Sequence, residues 1–464
     1  MEATGNAFGL PLETIDEIVS YLQDDNDALQ VCTLLGGNWT DSARRCIFKS
    51  TTLRVDDPDN PNDLVSDSAT RRLSAFAAFL GRTPHVRRSM QELHLVSEHA
   101  YSWLLSDHWN TDDFNIENLI EAENNALNAN DDEHDLGEAI GFQIHLRDLF
   151  RVLQRLPALR KLSLEDILWF PLAADGEPNL VIGPQLDMTL DPCPWVESFC
   201  FNHLPSITHP EDLRRLAIIF HLLPGIFELR ICSSVRYPAE DGNGPLEARE
   251  TIPFPQGMSL RSLIVKNMLT PCILSSLIHT NTVDSLVSLE ISAKYLLRHE
   301  IGRMGAFFEA VGSQLKQLRL SLSCYPRLQE MHDEAFVRNV WRDLRLSKCV
   351  ALRTLTLETD FRPARIRPWV TTEGIIDSLS IDPSSLQHLV LTLPKEGYPS
   401  LRTFNSHRNE PRWNALQTCL LAFPALEGLR FVMVPGFVGL DEITKRRVKK
   451  MLPDLEAKGL LQLD

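Results

Sequence analysis

One recurring pattern restricts the fold of this chain more than any other feature. Leu-x-x-Leu-x-Leu, with apolar substitutions, stands at Met90-Leu93-Leu95, Leu159-Leu162-Leu164, Val196-Phe199-Phe201, Ile226-Leu229-Ile231 and Leu260-Leu263-Val265. It continues at Leu286-Leu289-Ile291, Leu315-Leu318-Leu320, Leu352-Leu355-Leu357, Leu386-Leu389-Leu391 and Leu426-Leu429-Phe431. From Leu162 onward the middle residues lie between 26 residues apart (263 to 289) and 40 apart (389 to 429). A unit of that length cannot bury its apolar face alone and buries it on its neighbours, so the period predicts a solenoid. The last two apolar positions alternate, which puts both on one face of a short strand.

The segments between the motifs carry helical patterns: 144–156, 212–223, 273–279, 301–312, 334–346, 372–379 and 413–423. Several end in a short proline turn, as in Leu156-Pro157-Ala158-Leu159 and Phe423-Pro424-Ala425-Leu426. Helix, turn and strand repeated with short connections predict an α/β fold of parallel strands with helices on one side. No glycine-rich phosphate loop follows a strand, which argues against a doubly wound nucleotide-binding sheet. From about residue 51 to 440 the pattern resembles the leucine-rich repeat, with strands on the inner face and helices outside. The asparagine that usually follows the strand in that family is not regularly present, so irregular hydrogen bonding at the strand turns is expected. Residues 441–464 read as a C-terminal helical cap.

The step from Leu93 to Leu162 is long enough for an insertion. Residues 107–135 hold many Asp and Glu but no Lys or Arg, the composition of a solvated acidic loop. Asp56–Asp67 lacks the central Gly and closing Glu of a calcium loop and reads as a turn-rich linker. Lys445–Lys450 (KRRVKK) reads as the solvated face of a terminal helix, with a nuclear import signal as the sharper alternative.

Nothing downstream looks like residues 8–50. Ile15, Ile18, Val19 and Leu22 fall at i, i+3, i+4 and i+7, one helical stripe. Pro11 suits a first turn and Glu13 complements the helix dipole. Asp24, Asp25, Asn26 and Asp27 offer caps for a second helix carrying Leu29, Cys32 and Leu35. Gly36-Gly37 suits its stop, and Asn38 a cap for a third helix with Trp39, Ala43, Ile47 and Phe48. Three helices this short make a small core, so part of their apolar surface is expected to face a partner.

In order, Leu10-Pro11-x-Glu13, Ile18, Leu22, Leu29, Cys32, Trp39 and Ala43-Arg44-Arg45-x-x-Phe48 resemble the F-box, especially its divergent fungal forms. The family often has a basic residue just before the Trp; here the run is Gly36-Gly37-Asn38. The resemblance implies a substrate receptor of a cullin–RING ubiquitin ligase, with the F-box docked on a Skp-type adaptor and the repeats holding a protein substrate. Leu10, Pro11, Glu13, Ile18, Leu22, Leu29 and Trp39 would then carry adaptor binding or its supporting core. The alternative is a repeat scaffold that binds protein without a link to ubiquitin.

Composition narrows the classes further. A net charge of −16 argues against a nucleic-acid protein. The nine cysteines are odd in number and form no CxxC pair, so neither a disulfide frame nor a zinc site is expected and a reducing compartment fits. No signal core opens the chain, and the apolar stretch 216–227 is broken by His221 and Pro224 and too short to span a bilayer. The chain is therefore expected to be cytoplasmic or nuclear, without cofactor or metal. No GxSxG, HExxH or GxxxxGK[ST] pattern is present, so no catalysis is expected. His94 and His388 read as surface rings, Cys200 and Cys232 as space-fillers, and Trp195, Trp341 and Trp413 as packing residues. Strand residues between the paired apolar positions should face outward on the inner surface. With their neighbours they nominate Lys161, Arg230, Lys266, Glu290, Arg319 and Arg430 for substrate binding.

Overall fold

A computed structural model of the chain describes residues 10–55, 66–97, 142–165, 167–170, 196–202, 219–221, 223, 225–232, 252–266, 270–296, 298–324, 341–358, 385–393, 410–433 and 442–463. The acidic segment 107–135, Trp195, the helical pattern 372–379 and most of Asp56–Asp67 lie outside these residues. The chain separates into two compact units. The first comprises residues 1–195 with 201–205, and the second 196–200 with 206–464.

The first unit opens with three helices, α1 (Leu12–Tyr21), α2 (Asn26–Leu34) and α3 (Gly37–Ile47). They enclose a core of Ile15, Val19, Leu29, Cys32, Trp39 and Ala43, with Leu10, Leu22, Cys46 and Ile47 packed against it. Strands β1 (Ser50–Arg54), β2 (Glu92–Val96) and β4 (Lys161–Glu165) then pair in parallel, in that order. Helices α4 (Ser66–Arg82), α5 (Pro84–Ser89) and α6 (Leu146–Leu153) lie between them in sequence. Strands β3 (Phe142–His145) and β5 (Ile167–Phe170) form a separate parallel pair. The pattern over 144–156 predicted helix throughout, but its first residues belong to β3 and the helix spans 146–153. β1 lacks the full motif and was not expected as a strand; it still aligns Leu53 with Leu95.

The boundary between the units falls within β6 (Ser198–Asn202). In the second unit β7 (Glu228–Cys232), β8 (Ser262–Lys266), β9 (Ser288–Leu296), β10 (Gln317–Cys324), β11 (Thr354–Glu358), β12 (His388–Leu393), β13 (Gly428–Met433) and β14 (Leu461–Leu463) follow one another in chain order. Every described pairing is parallel. Helices α7 (Thr270–Leu277), α8 (Thr282–Ser285), α9 (Arg298–Val311) and α10 (Glu410–Leu421) occupy the connections, and α11 (Glu442–Met451) and α12 (Pro453–Ala457) precede β14. A helical C-terminal cap was expected at 441–464; the segment also supplies that last strand, which sets Leu461 beside Leu429.

The repeat pattern maps onto burial without exception. Both strand positions of all ten motifs, from Leu93 and Leu95 to Leu429 and Phe431, are at most 2% exposed. Helical side chains complete this core, including Ile301, Met304, Phe307, Phe308 and Val311 of α9 and Trp413, Leu416 and Leu420 of α10.

A backbone device accompanies the side chains. The carbonyl just before one strand accepts two successive N–H groups at the start of the next. Phe227 receives Arg261 and Ser262, Arg261 receives Val287 and Ser288, and Val287 receives Lys316 and Gln317, at 2.8–3.1 Å. Lys49, Gln91, Glu197, Lys316, Arg353 and Gln387 do the same. The irregular bonding expected from the missing asparagine concerns the turn after each strand, much of which lies outside the described residues. At the strand starts the bonding is regular, because it uses main-chain groups that any sequence supplies.

Candidate functional site

Most of the nominated residues lie on two surfaces, one in each unit. The first is the outside of the three N-terminal helices. Pro11 ends the approach to α1 as its cap residue, and its carbonyl accepts the Ile15 N–H at 3.1 Å. Asp25 caps α2 by accepting the Ala28 N–H at 2.9 Å. Asn38 was expected to cap α3. Instead Gly36, at φ +80°, holds that position and α3 starts at Gly37, because the left-handed turn between the helices suits glycine. Asp16 ties α1 to α3: Arg45 donates to its carboxylate at 2.8 Å, and Ser42 donates to the same oxygen.

These contacts sort the nominated residues. Leu29 and Trp39 are buried, and Leu10 and Leu22 are partly buried against the core, so all four support the unit. Pro11, Glu13 and Ile18 are exposed. Ile18 was expected in the buried stripe but lies at its edge, and Leu35 was expected inside but is also exposed. Helical turns of 3.6 residues explain Ile18, since Ile15 and Val19 already fill the narrow line facing α2 and α3. The exposed surface also contains residues that the stripe analysis passed over. Tyr21 is 81% exposed, Val31 59% and Leu34 83%, and Leu12 joins them. Of the eight large apolar side chains exposed among the described residues, six lie between residues 12 and 35. The available signal was apolar residues off the core line, with Val31, Leu34 and the cap residue Leu35 spaced i, i+3 and i+4 at the end of α2.

The second surface is the outward face of the β7–β14 sheet. Parallel register places Arg230, Ile264, Glu290, Arg319, Thr356, Val390, Arg430 and Gln462 in one row across successive strands. Three nominated residues meet there. Glu290 takes Lys266 Nζ at 2.7 Å and lies 3.9 Å from Arg319 Nε. Arg319 continues to Glu358, donating from Nε at 2.9 Å and again from Nη2. The result is an alternating ladder, Lys266–Glu290–Arg319–Glu358, across four strands. Arg230 stands apart from it: its Nε donates to Cys232 Sγ at 3.4 Å, and this bond raises its pKa above the ordinary guanidinium value. Cys232 thus accepts a hydrogen bond, in addition to the packing role expected of it. Arg430 is exposed on β13, beside Gln462 at the end of the row.

Lys161 lies apart from both, on the strands of the first unit, where it bonds Glu92 at 3.0 Å, and His94 lies 3.8 Å from the same carboxylate. Among the described residues no group of three or more His, Cys, Asp or Glu side chains is placed to hold a metal. No described helix is long and apolar enough to cross a membrane. In comparisons with known proteins, the chain matches neither a protein-family description nor a curated protein sequence.

Proposed function

We propose that this chain is a substrate receptor of a cullin–RING ubiquitin ligase, its three N-terminal helices docking a Skp-type adaptor and its repeats holding a protein substrate. The observation that carries this reading is the concentration of exposed apolar side chains between residues 12 and 35. Leaving Tyr21, Val31 and Leu34 in water forgoes a gain of about 25 cal/mol per Å² of apolar surface, a cost that a partner removes by covering them. The ordered F-box features from Leu10 to Phe48 name the class of partner. Behind them, a leucine-rich-repeat-like solenoid would offer an open strand face for a polar protein surface. Such a receptor performs no chemistry; it raises the effective concentration of a substrate lysine beside a ubiquitin-charged enzyme.

Affinity purification of the full chain from its own cells, read by mass spectrometry, tests the reading. Adaptor and cullin should co-purify, and replacing Tyr21 and Leu34 with Ser should remove both while the chain stays folded. A folded chain that captures neither adaptor nor cullin would leave only a protein-binding scaffold.

A further inference from the structure

We infer that the partner of the N-terminal helices presents an apolar groove rimmed by lysine and arginine. This rests on the docking role proposed above for α1 and α2, and adds the charge their partner must carry. Residues 1–43 contain no Lys, Arg or His. Glu13, Glu17 and Tyr21 stand at i, i+4 and i+8 on α1, and Asp27, Val31 and Leu34 at i, i+4 and i+7 on α2. At about 100° per residue each trio shares one side of its helix, and all six residues are exposed. Other carboxylates nearby are used by the fold: Asp16 accepts from Ser42 and Arg45, and Asp25 caps α2. Glu13, Glu17, Asp24 and Asp27 have no ion pair with a described residue. Glu13 and Asp27 complement their helix dipoles, but Glu17 lies beyond the first turn of α1, where the dipole makes no use of it.

An apolar face bordered in this way discriminates among occupants. Covering Tyr21, Val31 and Leu34 takes the neighbouring carboxylates out of water, which costs free energy unless cations meet them. A second copy of the chain brings the same carboxylates against these, because a two-fold contact sets a surface on itself. An anionic membrane or a nucleic acid is repelled both by the face and by the net charge of −16. A basic polypeptide is attracted by both, so the whole chain and the face act in one direction. The apolar side chains fix where such a partner sits. The carboxylates speed its approach and reject surfaces that lack cations at matching places.

The test is calorimetric titration of the full chain with two probes: a purified Skp-type adaptor, and a helical peptide whose leucine stripe is flanked by lysines. The same peptide with glutamines for lysines is the reference. The lysine peptide should bind about tenfold more tightly than the glutamine peptide, and salt should erase the difference. The variant Glu13→Gln, Glu17→Gln, Asp24→Asn and Asp27→Asn should bind the lysine peptide about 30-fold more weakly, since each exposed charge pair contributes a factor of about two to three. Glu17→Gln alone disturbs neither cap nor first turn and should lose one such factor. Tyr21→Ser with Leu34→Ser should weaken binding as well, which separates this face from carboxylates elsewhere in the chain. The proposal is overturned if the glutamine peptide binds as tightly, or if the carboxylate or the apolar substitutions leave lysine-peptide binding unchanged. Adaptor binding that weakens with salt and with the four substitutions supports both the basic rim and the adaptor. Adaptor binding indifferent to both overturns the basic rim and leaves the adaptor reading standing. No adaptor binding, beside a lysine peptide held through the four carboxylates, keeps the basic rim and removes the adaptor.

Discussion

Leu34→Ala and Leu29→Ala are the same substitution on the same short helix, yet the structure gives them opposite consequences. Each removes three side-chain carbons, worth about 2.4 kcal/mol at 0.8 kcal/mol per buried carbon. Leu34 is 83% exposed, so folding captures only about 0.4 kcal/mol of that and about 2 kcal/mol remains for a partner to capture. Leu34→Ala should therefore leave thermal stability nearly unchanged and weaken adaptor binding about 30-fold. Leu29 is fully buried in the three-helix core, where the lost contacts and the cavity left behind cost about 2–5 kcal/mol. Calorimetric titration with a purified Skp-type adaptor reads the first effect and thermal unfolding reads the second. Equal destabilisation by the two substitutions would refute the burial assignment. An undiminished affinity for Leu34→Ala would remove α2 from the docking surface.

Three further outcomes follow from the second unit. A Cβ at Gly305 would lie 1.9 Å from the Asp343 carbonyl oxygen, whereas one at Gly302 would meet nothing within 4 Å. Gly305→Ala should cost about 1–3 kcal/mol by forcing α9 from its neighbour, while Gly302→Ala should stabilise by up to about 1 kcal/mol; denaturant titration separates them. Glu290→Gln removes the anion shared by Lys266 and Arg319. These groups are partly solvated, so the loss should stay below about 1 kcal/mol and shrink as salt is added during thermal unfolding. Burial pushes the Cys349 thiol up to about 12 from 9.0. Its neutral form is thus favoured in the fold, and the stability it contributes is full below pH 9.0 and lost as pH rises from there toward 12. At pH 8 mass spectrometry should find Cys349 unmodified by iodoacetamide until the chain is unfolded.

The fold was more legible in the sequence than the surfaces were. Burial leaves a periodic trace, so Leu263, Val265, Leu289 and Ile291 announce a strand pair by spacing alone. β1 was missed because Thr51 stands at the middle apolar position of the motif, and β14 because Lys458 stands at the first. Surfaces leave no such trace. Lys266 and Glu290 are a repeat apart in the chain and meet only because register brings β8 beside β9. Their mutual neutralisation was invisible when each was nominated singly. Tyr21 and Leu34 were passed over for a related reason, since a search for the core discards apolar residues that lie off the core line.

The unequal repeats raise the question of how register is kept at all. Closing a 40-residue connection rather than a 26-residue one costs only about 0.4 kcal/mol, so length itself selects no alignment. The selection comes from the strands. A one-residue slip would turn the two buried apolar side chains of a strand toward water, at about 1.5–3 kcal/mol each. It would also break the pair of N–H bonds received by the carbonyl ahead of the preceding strand. Both penalties act within the strand and its first residues, wherever the connection wanders. Connections are therefore free to vary or carry insertions while the row from Arg230 to Gln462 stays aligned. A binding face built on that row can change its side chains one strand at a time without disturbing the core behind it.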